Sequence, residues 1–351
     1  MGNRFRSNPI ISKEDLLPSR EDWVIECVMN PGVFAFENKI WLLIRVAERP
    51  IQKPGLVSLP IYTPEGKTNV IEFKEGDPNW DTSDPRKFEN GSGTYLSTIS
   101  HLRLMCSDDG VHFRKPNHIP DIIKSSGPYE TYGIEDCRVS FLEGKYHLTY
   151  TQVSESGVGV GLMKTDDWVN FEKNDMIFLP HNKDCALFEE KINGKYFAIS
   201  RPSGVGLGGN YMWISSSPDL IHWGNHICIL KTRYGKWDSQ RIGAGTSPIK
   251  TEHGWLEIYH GADEDSRYSL GAVLLDLEDP TIVIARSDAP LMEPTEAYEQ
   301  EGFFNNVIFT NGHLVDGDKI TMYYGASDEV ICGATFSIKE ILENILSETL
   351  A

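Results

Sequence analysis

The chain has 351 residues, 40% hydrophobic and 24% charged, enough apolar material for a sizeable core and too much for a disordered protein. With 33 Lys and Arg against 51 Asp and Glu, the net charge is −18, which argues against a nucleic-acid or anionic-membrane surface. Any anionic ligand must then be held by a local cluster of cations working against the global field.

The N-terminal stretch MGNRFRSNPIISKEDLLPSR lacks the apolar core of a secretory signal. Residues 1–20 read as an arm, for ring closure or for contact with a second copy in a homo-oligomer. No later apolar run approaches the ~20 residues needed to cross a bilayer. The six cysteines are scattered without a C-x-x-C pair, so neither zinc nor a disulfide framework is expected, and a reducing, cytoplasmic setting fits.

Five segments then share one design, a Gly- or Asn-bearing turn followed by an aromatic-rich strand with a polar end. They are FENKIWLLIR (36–45), LEGKYHLTYTQ (142–152), INGKYFAISRP (192–202), EHGWLEIYHGAD (252–263) and DGDKITMYYGASD (316–328). Each reads as a strand entered through a hairpin. Residues 50–100, rich in Gly, Pro, Asp and Asn, interrupt the series as an insertion. A second signature, SDDGVHF (107–113), TDDWVNF (165–171) and SPDLIHW (217–223), sets Asp109, Asp167 and Asp219 four residues before an aromatic. Repeated small antiparallel sheets predict an all-β, five-bladed β-propeller forming a single domain over 1–351; a large β-sandwich is the alternative. The Gly-rich run 203–210 reads as a hairpin loop, since no helix pattern follows it. The one convincing helix, 336–349, has apolar residues at Ile338, Ile341, Leu342, Ile345 and Leu346 and a capping box of Ser337 with Glu340.

Three constellations could carry chemistry. In YGIEDCRVS (132–140) an extended strand turns Asp136 and Arg138 to one face and Glu135 and Cys137 to the other; a plain ion pair would look the same. In LPHNKDCALF (179–188), Asn182, Lys183 and Asp184 interrupt a strand-like context, and a solvated loop is the plainer reading. Arg45, Arg201, His260 and Asp328 each end an apolar strand, where a propeller would aim them at its axis. The pocket so assembled combines carboxylates (Asp108, Asp109, Asp136, Asp328), cations (Arg45, Lys183, Arg201, His260) and aromatics (Trp41, Tyr132, Trp255, Tyr259). Acids and rings suit a hydroxyl-rich ligand, and the cations suit a phosphate.

At these residues the chain resembles the β-mannoside phosphorylases and hydrolases of glycoside hydrolase family 130. The likeness runs through NPGVF (30–34), LLIRV (42–46), GIEDCR (133–138), NKDCALFEEKINGKY (182–196), RIGAGTSPIKTEHGWLEIYHGAD (241–263) and YGASDEVICGA (324–334). Cys137 stands where the family often has Pro. The resemblance implies five propeller blades, Asp136 as general acid, and Arg45, Asp108, Asp109 and Asp328 on the mannosyl unit. It further implies Lys183, Arg201 and His260 on phosphate, with Asn182 a weaker candidate and Arg138 close to the acid. Tyr95 and His101, with Ser97 and Ser100, would shape the leaving-group subsite.

An inverting hydrolase needs a second carboxylate to activate water, whereas phosphate is already anionic and needs only positioning. Retention of the basic set therefore favours phosphorolysis, with phosphate as co-substrate and no metal or organic cofactor. The acid should have a raised pKa from burial and neighbouring carboxylates, opposed by Arg138. The insertion is similar to the branch acting on β-1,2-mannosides; β-1,4 substrates, hydrolysis, and a non-catalytic sugar-binding propeller are the rivals.

Overall fold

The computed structural model of the protein describes residues 2–204 and 207–349, and it is built almost wholly of strands. The five predicted hairpins all form. One eight-stranded sheet runs from Trp23–Phe36 through Lys39–Pro50 and Ile99–Ser107 to Gly133–Leu142, Lys145–Ser154, Gly157–Thr165 and Glu172–Phe178, with the short Ile122–Ile123 paired to the third of these. Its two halves meet through one parallel pair, Gly133 with Ser100. The next sheet orders Asn182–Leu187, Tyr196–Pro202, Met212–Ser217 and Gly224–Leu230, and a third orders Arg241–Ala244, Gly254–Ala262, Tyr268–Leu275 and Val283–Arg286. In the last, Ile308–Asp316, Lys319–Ala326 and Val330–Ser337 are joined by Asn3–Arg4 from the arm. The arm thus ties the start of the chain to its final strand.

Large apolar side chains fill the space between sheets, because each sheet has two faces to bury and almost no helix to cover them. The helix Ile338–Thr349 covers one outer face, burying Ile341, Leu342 and Ile345 against the last two sheets. Its capping expectation holds at Ser337, whose hydroxyl accepts the Glu340 amide at 3.1 Å. The insertion forms a hairpin, Leu56–Tyr62 with Thr68–Lys74, and a small sheet of Asp81–Asp84, Lys87–Asn90 and Gly93–Leu96. Of the Gly-rich run, residues 205 and 206 lie outside the described residues, and the remainder joins two antiparallel strands as expected.

Each of the first three inner strands, Trp23–Phe36, Gly133–Leu142 and Asn182–Leu187, is broken by a bulge at the same level. At those bulges Asn30, Asp136 and Asp184 adopt φ of 48°, 47° and 53°. Asn and Asp tolerate this left-handed region better than other side-chain-bearing residues, and an extra residue in the ladder re-aims the side chain it carries. A fourth bulge lies between Thr310 and Gly312 of Ile308–Asp316. These irregularities set the level of the candidate site.

Candidate active site

The bulges surround a cavity of about 300 Å³ lined by Arg45, Arg86, Lys183, Arg201 and Arg241 against Asp136, Asp184 and Asp328. A locally cationic lining inside a chain of net charge −18 is the island that an anionic ligand requires. Asn30, Ser266, Tyr268, Phe304, Val307 and Phe309 complete the walls.

Asp136 sits at the centre. Asn30 Nδ2 donates to its Oδ1 at 2.9 Å, and Arg45 reaches both oxygens at 3.1 and 3.3 Å. Arg45 also pairs with Glu135 at 2.7 Å and donates to Ser100 Oγ at 3.1 Å. Burial works to raise the Asp136 pKa, yet Arg45, Lys183 and the Asn30 hydrogen bond together hold it below the ordinary carboxylate value. The expected upward shift is therefore not seen, and the opposing cations are Arg45 and Lys183 rather than Arg138. Asp328 behaves in the opposite way. Burial, with Asp136 and Glu135 nearby, pushes its carboxyl up to about 6 against the pull of Arg45 and Lys183.

Lys183 and Arg201 are directly paired across two antiparallel strands, so they share a face. Arg201 Nε donates to Asp184 Oδ2 at 2.7 Å and its NH1 to Asn210 Oδ1 at 3.1 Å. Asn210 in turn bridges to the backbone of Arg241, whose guanidinium donates to Tyr268 OH at 2.9 Å. Asp184 is enclosed by nitrogen groups: besides Arg201, Arg138 lies 3.6 Å from Oδ1, and His260 Nε2 lies 3.4 Å from Oδ2. Burial opposes ionisation of Asp184, but Arg201, His260 and Arg138 keep it well below the usual carboxylate range, which makes it a poor proton acceptor. Gly243 permits this crowding, since a Cβ there would fall 2.7 Å from the His260 ring.

Several expectations need correction. The bulge breaks the alternation assumed for 134–138, so Arg138 does not share a face with Asp136. Its guanidinium is 1% exposed and donates to the carbonyls of Asp136, Gly245 and Ala244 behind the pocket. His260 does not line the cavity either; it is fully buried against Phe309, and burial lowers its pKa despite Asp184. Asn182 points to the other face of its strand, into a separate groove beside Trp213 and Trp223.

Asp108 and Asp109 lie at the wrong end of their sheet. Ser107 pairs with Ile40 while Leu102 pairs with Arg45, a separation of five residues or about 17 Å along the strand. Asp108 makes an exposed pair with Arg114, and Asp109 caps the turn by accepting the amides of Val111 and His112 at 2.9 and 2.8 Å. Asp167 and Asp219 do the same in their turns. The second repeat signature is thus a turn motif. His101 is fully buried beside Arg103 and turned away from the pocket; its neighbour Ser100 is the residue that reaches Arg45. Tyr95 packs near Trp80 and Tyr132 in the insertion and does not line the cavity. Trp41, Trp255 and Tyr259 are core residues.

Sequence reasoning missed Asn30, Asp184, Arg86, Arg241 and Tyr268 as lining residues. The first two carried a usable signal, an Asn or Asp a few residues into an inner strand in three successive units. Arg241 lay inside a quoted block without attracting a role.

The sequence model of glycoside hydrolase family 130, described as beta-1,4-mannooligosaccharide phosphorylase, matches residues 93–348. The chain is 42% identical to a beta-1,2-mannobiose phosphorylase of Listeria innocua, covering 97% of this chain and 98% of the relative. It is 38% identical to a 1,2-beta-oligomannan phosphorylase of Thermoanaerobacter over 70% of this chain and 82% of the relative. A solved beta-1,2-mannobiose complex of the Listeria innocua phosphorylase superposes with a TM-score of 0.92 at 41% identity, covering 98% of this chain and 99% of the other. Nearly the whole chain follows these proteins in sequence and backbone, and it belongs to glycoside hydrolase family 130.

Proposed function

We propose that the protein is an inverting phosphorylase of β-1,2-mannobiose or short β-1,2-oligomannosides, yielding α-D-mannose 1-phosphate and a sugar shortened by one unit. The observation that carries this reading is the wall of Lys183, Arg201 and Arg241 facing the Asp136 carboxyl across one small cavity. Phosphate would lie against that wall, with His260 and Arg138 acting behind it through Asp184. A phosphate oxygen attacks the anomeric carbon from the face opposite the leaving group. The glycosidic C–O bond breaks, and its oxygen takes the proton of Asp136, directly or through a substrate hydroxyl.

Asp136 must be protonated at that moment although the surrounding protein groups favour its ionised form. A bound phosphate resolves this, because its negative charge offsets the pull of Arg45 and Lys183 and raises the proton affinity of the carboxyl. Asp184, the carboxylate on the cationic wall, is tied to Arg201 at 2.7 Å and serves to aim that guanidinium. Arg45 and Asp328 are assigned to the mannosyl unit.

The scaffold reads best as five blades in one domain, with the eight-stranded sheet counted as two blades meeting at Gly133 and Ser100. Six free cysteines suit a reducing, cytoplasmic setting. The β-1,2 preference follows the names of the Listeria and Thermoanaerobacter relatives over the β-1,4 description of the family model. Asp328, pushed up to about 6, is the one feature a hydrolytic reading could use, as a base for water. A panel of β-1,2- and β-1,4-mannobiose, each with and without phosphate, separates the linkage and nucleophile readings. Turnover only of the β-1,2 substrate and only with phosphate is expected.

A further inference from the structure

Glu135 and Asp136 are neighbours in the chain, yet both reach one guanidinium. In a regular strand consecutive side chains leave opposite faces. Here the ladder slips between Glu135 and Arg138, and Asp136 turns left-handed at φ 47°, so the two carboxylates meet on the same side.

Arg45 is held on three edges. Its Nε donates to Ser100 Oγ at 3.1 Å, NH1 to the Asp136 oxygens at 3.1 and 3.3 Å, and NH2 to Glu135 Oε1 at 2.7 Å. Ser100 is itself fixed by Gly133, where a Cβ would fall 2.6 Å from the Ser100 backbone. Glu135 does not line the cavity, and its side chain is 14% exposed. It reaches the chemistry through Arg45.

Proton transfer sets a condition that this fork meets. A protonated Asp136 is no longer an anionic partner, and a buried guanidinium left without one is costly. An Arg45 paired with Asp136 alone would therefore hold the acid ionised. With Glu135 on its other nitrogen, Arg45 keeps a counter-ion in both protonation states. The remaining groups around Asp136 are Lys183 and Asp184 from the neighbouring inner strand, Asn30, Asp328 and Arg138. Arg138 donates to the Asp136 carbonyl at 3.2 Å, and Asp184 is engaged by Arg201 at 2.7 Å. Of the four carboxylates, Glu135 and Asp136 are the two bonded to Arg45.

We propose that Glu135 is a positioning residue of the reaction, which fixes Arg45 and remains its counter-ion so that Asp136 can carry the proton it gives to the leaving oxygen. The proposal rests on the reading of Asp136 as the general acid.

The test is kcat against pH, from about 5 to about 9, at saturating phosphate and β-1,2-mannobiose, for wild type, Glu135→Gln and Glu135→Asp. Activity falls on the alkaline side as the acid loses its proton. Phosphate titrates there too, but equally for every variant, so a difference between variants belongs to the enzyme. Glu135→Gln leaves Asp136 as the one anion on Arg45 and should move the alkaline limb down by about one pH unit, about a tenfold loss of kcat above it. Glu135→Asp keeps the charge and should leave the limb near its wild-type position. Glu135→Ala, which buries no amide, takes the place of the Gln variant if that one does not fold. A limb that stays or rises in the neutral variant would overturn the proposal, since a merely structural role scales the rate alike at every pH. An equal downward shift in Glu135→Asp would overturn it too. Either result beside an inactive Asp136→Asn leaves the acid assignment standing, whereas near-wild-type turnover in Asp136→Asn would remove both.

Discussion

The protein places its aspartates in two settings that look alike in the sequence and differ in the fold. Asp109, Asp167 and Asp219 sit in exposed turns at the outer ends of strands, where backbone amides and neighbouring side chains depress their pKa. Asp136 and Asp184 sit on left-handed bulges of inner strands, buried, and are held ionised by guanidinium groups against the penalty of burial. A lowered pKa therefore does not mark a site by itself. What distinguishes the second group is that its stabilising charges face a cavity, so a ligand can change them.

The comparison is broken most severely at Asp136. Asp136→Asn should lower kcat by about 10²–10⁴-fold with the fold intact and some loss of Tm, since Arg45 keeps only its Glu135 partner; near-wild-type turnover would remove Asp136 from the chemistry. Asp184→Asn comes next and acts differently. Removing one partner of a buried charge cluster costs about 3–5 kcal/mol, so thermal unfolding should shift to markedly lower temperature and the KM for phosphate should rise as Arg201 loses its guide. Arg201→Ala should raise the phosphate KM by about 10–100-fold, leaving mannobiose affinity near wild type. Equal losses for both substrates would contradict a phosphate-facing role.

Asp328 sharpens the comparison through pH. Its folded value of about 6 lies above the unfolded value of about 3.9, so the native state binds more protons in that window. Stability should fall as pH rises from about 4 to 6, and Asp328→Asn should flatten the fall. The depressed Asp136 and Asp184 contribute the opposite slope, lost as pH drops below about 4, so the two effects separate in Tm measured against pH. Asp109→Ala should do least, a small loss of Tm with unchanged kcat/KM.

The hairpin units were legible because alternation and turn residues are local signals, and the C-terminal helix because its apolar stripe is. Arg201, Arg45 and Asp328 were legible as polar ends of apolar strands, and Lys183 as part of a polar interruption of a strand-like segment. The bulges were not legible, since one extra residue inverts the face of everything beyond it; that is why Arg138 was read on one face with Asp136 and Asp184 was given no role. Asp108, Asp109 and His101 were misplaced because which end or face of a strand meets the cavity is decided by tertiary pairing, which no spacing encodes. Arg86 enters from an insertion with no periodic pattern at all.

The central claim is that a phosphate oxygen, not water, attacks the sugar. Following β-1,2-mannobiose by proton and phosphorus NMR tests it directly. The account predicts α-mannose 1-phosphate and mannose in equal amounts when phosphate is present and no reaction when it is left out. Two equivalents of free mannose in phosphate-free buffer would contradict it.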